Sequence, residues 1–207
     1  MVAVDAECRF IFVDAGCQGR ISDGDVFRDT AMFRMIREDS LGLPPATELP
    51  YFFAADNAFS LMENIMKPYN GTHAIRSTKR IFNYRLTRAR RVVENTFGIV
   101  SSVFRVIRKP LLLQPETAEK IVMAIVYLHN YLKEHSAREY APRESIDREE
   151  DGCVIEGAWR RDEEGMSSLN PVRSVPRRSS HRAEAIRSEL ADYCVKEGAV
   201  PWKDRYQ

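Results

Sequence analysis

Two carboxylates stand out by their surroundings. Asp56 ends the apolar run "YFFAAD", and Glu94 is the one acidic side chain between Glu63 and Glu116. Carboxylates are hard oxygen ligands, and Mg²⁺ binds through one or two of them while keeping several waters. Two such ions about 3.5–4 Å apart activate a nucleophile and stabilise the leaving oxygen in displacement at phosphorus. Arg80, Arg85, Arg88, Arg90 and Arg91 share the segment of Glu94, and guanidinium groups there would hold a phosphate backbone. Both acids also have ordinary explanations. Asp56 suits an N-cap for a helix in "NAFSLMEN". Arg90 and Glu94, four residues apart, suit a helical ion pair worth about 0.3–0.5 kcal/mol. Spacing leaves both alternatives open.

Other chemistry finds less support. His129, in "YLHNYL", sits within an apolar helical pattern and reads as a hydrogen-bonded core histidine. His73 falls in a loop with no metal partner at a recognisable spacing. "GCQG" is too short for a phosphate-binding loop. Cys8, Cys17, Cys153 and Cys194 are scattered, with no CxxC pair, and read as reduced thiols. No nucleophile elbow or Cys/His protease pattern is present.

The elements that must position these residues follow from periodicity. Hydrophobic residues make up 44% and charged residues 29% of the 207 residues, a globular composition. No apolar run approaches the roughly 20 residues that span a bilayer. The opening stretch has neither a basic n-region nor a cleavage site. "VAVDAECRFIFVDAG" predicts two strands with a turn over residues 5–8. Ser22 or Asp23 would cap a helix running to about Ser40. "YFFAA" predicts a strand, and Ala58 to Met66 a short helix. Phe82, Leu86, Ala89, Val93, Phe97, Val100 and Phe104 recur three or four apart and predict one helix from about Lys79 to Arg105, weakened at Gly98. A second helix is expected from Glu116 to His135, and a last one after Ser179 or Ser180. Residues 136–180 read as a charged flexible linker, and 181–200 as a terminal amphipathic helix and tail.

Charge is segregated along the chain. The net charge is +1, yet Arg76–Lys109 holds ten basic residues and one acidic, 10 − 1 = +9. Arg138–Glu164 holds five basic and ten acidic, 5 − 10 = −5. The first segment suits a polyanion partner or a solvated helix face. "VRSVPRRSSHR", residues 172–182, suits a nuclear address or a solvated linker.

The order of the segments carries a resemblance. "FIFVDAGCQGRISDGDVF", "FFAADNAF", "KPY", "IFNYRLTRARRVVENTFGIV" and "LHNYL" together resemble the nuclease domain of Harbinger-type DDE transposases and Harbinger-derived nucleases, over about residues 2–135. The resemblance implies an α/β, ribonuclease-H-like fold with a mixed sheet flanked by helices. It implies a divalent-metal site, Mg²⁺ or Mn²⁺, for DNA strand cleavage. By motif, Asp56 looks like the second acidic ligand and Glu94 like the third. Asp23 matches a recurrent Asp after the Gly-rich loop but not a ligand. The resemblance also implies nuclear localisation, DNA as partner and a Myb-like DNA-binding protein as a second one.

The chain departs from that pattern at its start. The family's first acidic ligand lies on a strand preceding the hairpin seen here. Neither Asp5, in the hairpin turn, nor Asp14, at the end of the next strand, takes its place. The expectation is therefore an N-terminally truncated, incomplete ribonuclease-H-like domain with impaired catalysis. The alternative is a non-catalytic transposon remnant or an incomplete gene model that binds DNA or protein.

Overall fold

The computed structural model describes residues 1–17, 23–44, 49–150, 153–162 and 179–200. It divides into two compact units, one from Met1–Gln18 with Arg91–Pro171, the other from Gly19–Arg90 with Val172–Gln207. The expected sheet–helix alternation gives mixed α/β structure. The strands do not join into one mixed sheet, however. Among the described residues they form three separate pairs, two antiparallel and one parallel.

The first unit opens with the expected hairpin, β1 (Val2–Val4) and β2 (Phe10–Val13), with Val2 opposite Val13. The Asp5 side chain accepts from the Glu7 and Arg9 amides at 3.0 and 2.8 Å and ties the turn, in which Cys8 takes φ 63°. A strand edge leaves backbone groups that need partners. Asn130 supplies two of them, accepting from Phe10 N at 2.9 Å and donating to Phe10 O at 2.8 Å. His129 Nε2 donates to the Cys8 carbonyl at 2.6 Å, which leaves Nδ1 to accept from the Tyr140 hydroxyl at 2.7 Å. His129 is fully buried, and the expectation of a hydrogen-bonded core histidine holds. Phe10, Val100, Ile125 and Val126 form the apolar centre of this unit, each contributing about 1.5–3 kcal/mol by burial.

The helix carrying His129 is the one that periodicity predicts. It spans Pro115–His135, with proline in its first turn, where a missing amide hydrogen leaves no bond unmade. The chain then departs from expectation. Residues 137–150 and 153–162, expected within a charged linker, carry defined elements. A short helix (Ala137–Tyr140) leads to β5 (Arg148–Glu150) and β6 (Cys153–Ile155), paired antiparallel, then a 3-10 turn at Ala158–Asp162. Trp159 and Asp147 are buried within this stretch. The remainder of the expected linker, 163–178, lies outside the described residues, as does most of "VRSVPRRSSHR".

In the second unit, the single helix expected near residues 23–40 is two, α1 (Asp23–Asp29) and α2 (Ala31–Arg37). Thr30 separates them. Its hydroxyl donates to Phe27 O at 2.7 Å and accepts from Phe33 N at 3.2 Å, ending one helix and capping the next. Ser22, the alternative cap, is outside the described residues. The strand at "YFFAA" is β3 (Phe53–Ala54), paired parallel with β4 (Ile65–Met66). The helix expected over Ala58–Met66 is absent, because Leu61, Ile65 and Met66 reach the core through turns and a Met62–Ile65 bridge instead.

The terminal helix, His181–Val195, starts where expected, with the Ser180 hydroxyl accepting from Ala183 N at 3.1 Å. Its Ile186 and Leu190 bury against Leu61, Met66, Phe82 and Leu86. The long helix, α3 (Thr78–Val103), follows expectation closely, and contributes its first half to this unit and its second half to the other. None of the four cysteines is joined in a disulfide. Among the described residues, no helix is long and apolar enough to cross a membrane.

Candidate active site

Asp56 lies just past β3, at the carboxyl end of the parallel pair. Ala55 N still donates to Met66 O at 2.8 Å, so the ladder runs to the edge of the site. Carboxyl ends of parallel strands are where α/β sheets present ligands. The Asp56 side chain caps a turn, not a helix: Oδ1 accepts from Ala58 N at 2.8 Å, an Asx-type bond. Its other oxygen faces Arg90 Nη2 at 4.0 Å, and the side chain is 37% exposed. One oxygen is thus held by the local turn, and the other faces the Arg90 guanidinium.

Glu94 lies on α3 one turn beyond Arg90, but the helical ion pair, one of the two alternatives for these residues, is not what they form. Arg90 faces Asp56, and Glu94 Oε2 faces Arg160 Nη2 at 3.6 Å with its side chain 53% exposed. The two carboxylates belong to different units, so each is placed by its own surroundings.

Next to Glu94, α3 receives residues 145–160 through matched polar groups. Asn95 donates from Nδ2 to Asp147 O at 3.2 Å, and its Oδ1 accepts from Asp147 N at 2.9 Å and from Trp159 Nε1 at 3.0 Å. Gly98 lies under the Trp159 ring, where a Cβ would come within 2.2 Å of Cδ2. Asp147 accepts from Gly157 N at 2.8 Å and from Arg160 through Nε at 2.9 Å and Nη2 at 2.5 Å. Burial pushes the Asp147 carboxyl up, but the bonds from Arg160 and Gly157 outweigh it and hold the group below its ordinary value. The same bond to Asp147 raises the Arg160 guanidinium, against the opposing effect of burial. This buried pair was invisible in the sequence, where Asp147 and Arg160 read as two members of a solvated charge run. A tryptophan in so charged a stretch was the available signal.

The arginines named as DNA contacts have unlike surroundings. Arg80 is exposed. Arg85 donates from Nη1 to the Gly198 carbonyl at 2.8 Å. Arg90 faces Asp56, while the charge of Arg91 reaches Asp147 and helps to lower it. Arg88 is half-buried.

The motif residues of α3 therefore divide by role. Phe82 and Leu86 are core, and Asn83 clasps the backbone of Tyr69, accepting from its amide at 2.7 Å and donating to its carbonyl at 2.9 Å. Asn95 and Gly98 receive residues 145–160. Glu94 and Arg90 are left pointing at charge.

Each carboxylate, taken within its own unit, is an oxygen donor of the kind a divalent cation takes. Two solvent-accessible carboxylates match the oxygen preference of Mg²⁺ or Mn²⁺, and Mg²⁺ binds through one or two carboxylates and retains water. No closed cage is formed, since no three His, Cys, Asp or Glu side chains group together among the described residues.

Comparison with known proteins adds one match. The family model described as DDE superfamily endonuclease matches residues 1–130, more than half of the 207. That stretch holds the first hairpin, Asp56, all of α3 and His129–Asn130. No curated protein and no solved structure matches the chain.

Proposed function

Because the chain belongs to the DDE superfamily endonuclease family, we propose that it acts on DNA phosphodiester bonds as a Harbinger-type, transposase-derived nuclease domain with a ribonuclease-H-like core. Asp56 and Glu94 are its metal ligands, for Mg²⁺ or Mn²⁺. The observation that carries this reading is the pair of exposed carboxylates, one at the end of a parallel strand and one on a helix, each facing an arginine.

When bound, a divalent ion would lower the pKa of its water and neutralise charge on the phosphoryl oxygens. The chain's own part is electrostatic and positional. The Ala58 amide fixes the Asp56 carboxylate through Oδ1, so that Oδ2 is the oxygen that would meet the ion. Arg80 supplies charge for the phosphate backbone, and Arg85, Arg88 and Arg91 add to the same field from partly buried positions. Arg90, beside Asp56, steers a phosphate toward the carboxylate. Two carboxylates hold an ion weakly, so cleavage at this site is slow. The Harbinger resemblance further supports nuclear localisation and a Myb-like DNA-binding partner that selects the target.

Metal dependence tests the assignment. Purified chain is expected to nick supercoiled plasmid in Mn²⁺ or Mg²⁺ and to stop in EDTA, recovering on addition of Mn²⁺. Nicking that persists undiminished in EDTA would contradict it.

A further inference from the structure

Residues 145–160 press on α3 beside Glu94, and the contact is built from both sides. Asn95 exchanges hydrogen bonds with the Asp147 backbone, Trp159 occupies the space that Gly98 leaves open, and the Asp147 side chain is fully shielded beneath Arg160. Arg160 is fixed in turn. Asp147 brackets its guanidinium through both oxygens, and its Cζ lies 4.3 Å over the Trp159 ring. A guanidinium held in this way has little freedom to leave, yet its Nη2 still lies 3.6 Å from Glu94 Oε2. These residues follow the stretch matched by the family model, which ends at residue 130.

We infer that Arg160 is a built-in competitor for cations at Glu94: the segment around β5 and β6 delivers a fixed positive charge to the carboxylate, and so sets how tightly that carboxylate takes a divalent ion. The inference rests on the reading of Glu94 as a metal ligand. The sign follows from charge alone. A divalent ion approaching Glu94 meets a guanidinium that cannot swing aside without unpairing the buried Asp147, so its binding is weakened. An ordinary surface arginine would yield, because exposed pairs hold each other only loosely. Buried pairing of Arg160 with Asp147 removes that freedom. Cation loading is thereby coupled to the docking of residues 145–160 on α3.

Mn²⁺ titration of the full chain, followed by the electron paramagnetic resonance signal of free Mn²⁺, separates the possibilities. Arg160→Gln is expected to bind Mn²⁺ about fivefold more tightly than wild type, and Glu94→Gln to lose the site. Since Arg160→Gln strands the Asp147 charge, Asp147→Asn/Arg160→Gln is measured beside it. That double variant buries no lone charge and is expected to shift in the same direction. Unchanged or weaker Mn²⁺ binding in both Arg160 variants, with loss in Glu94→Gln, overturns the competitor and leaves the metal assignment standing. Full retention of binding in Glu94→Gln overturns the assignment of Glu94, and the competitor with it.

Discussion

At the residue scale, polar side chains that resemble catalytic groups divide into those that hold backbone and those that face charge. His129 belongs to the first class. Burial pushes its imidazole below the ordinary value, with the Cys8 carbonyl pulling the other way. The folded chain thus takes up this proton less readily than the unfolded chain. The stability His129 contributes is present above the unfolded value of about 6.5 and is lost as pH falls from there toward the folded value. Urea unfolding is expected to show stability declining between about pH 7 and pH 5, and a flatter profile in His129→Gln. An equally steep decline in the variant would show that other groups carry the dependence. The histidine's role was readable in advance because "YLHNYL" sets it among apolar residues. Asp147 was not readable, because its partner Arg160 lies on a separate turn and its burial depends on Asn95 and Trp159, which no local pattern connects.

At the element scale, α3 organises the chain, and its glycine is the sharpest test of how. Gly98 in a helix is normally improved by alanine, by about 1 kcal/mol. Here the added Cβ would meet the Trp159 ring at 2.2 Å. Gly98→Ala is therefore expected to reverse the usual sign, destabilising by about 1–3 kcal/mol as in an overpacked core, with a red shift of tryptophan emission as Trp159 is displaced. A variant as stable as wild type with unchanged emission would mean that residues 145–160 do not pack on α3 as described. Long periodic elements could be read directly: α3, the Pro115–His135 helix and the terminal helix all arise where apolar residues recur three or four apart. The segment after Asp56 misled for a physical reason. Leu61, Ile65 and Met66 have spacings compatible with a helix, but pairing with Phe53–Ala54 and the turn fixed by Asp56 outweigh a helical propensity that is weak over so short a stretch. Thr30 misled similarly, since a threonine inside an apolar period gives no sign that its hydroxyl will cap.

At the scale of the whole molecule, each unit has its own apolar centre, and one long helix carries residues of both. Family membership was legible from the order of short motifs, and several of the motif residues have defined structural roles. Asn83 holds Tyr69, His129 and Asn130 hold the hairpin, and Gly98 makes room for Trp159. The separation into paired strands was not legible, because strand spacing carries no information about which edges meet. Nor was the defined structure within residues 137–162, where charge density resembled a solvated linker until Asp147 and Arg160 were seen paired. The proposed function is tested at Asp56 and Glu94. The most direct measurement is the initial rate of Mn²⁺-dependent plasmid nicking by wild type, Asp56→Asn and Glu94→Gln, each shown by circular dichroism to be folded. Both variants are expected to lose at least about a hundredfold in rate, close to 2.7 kcal/mol of transition-state stabilisation. Wild-type rates in both variants would contradict the assignment of these two carboxylates as the site of cleavage.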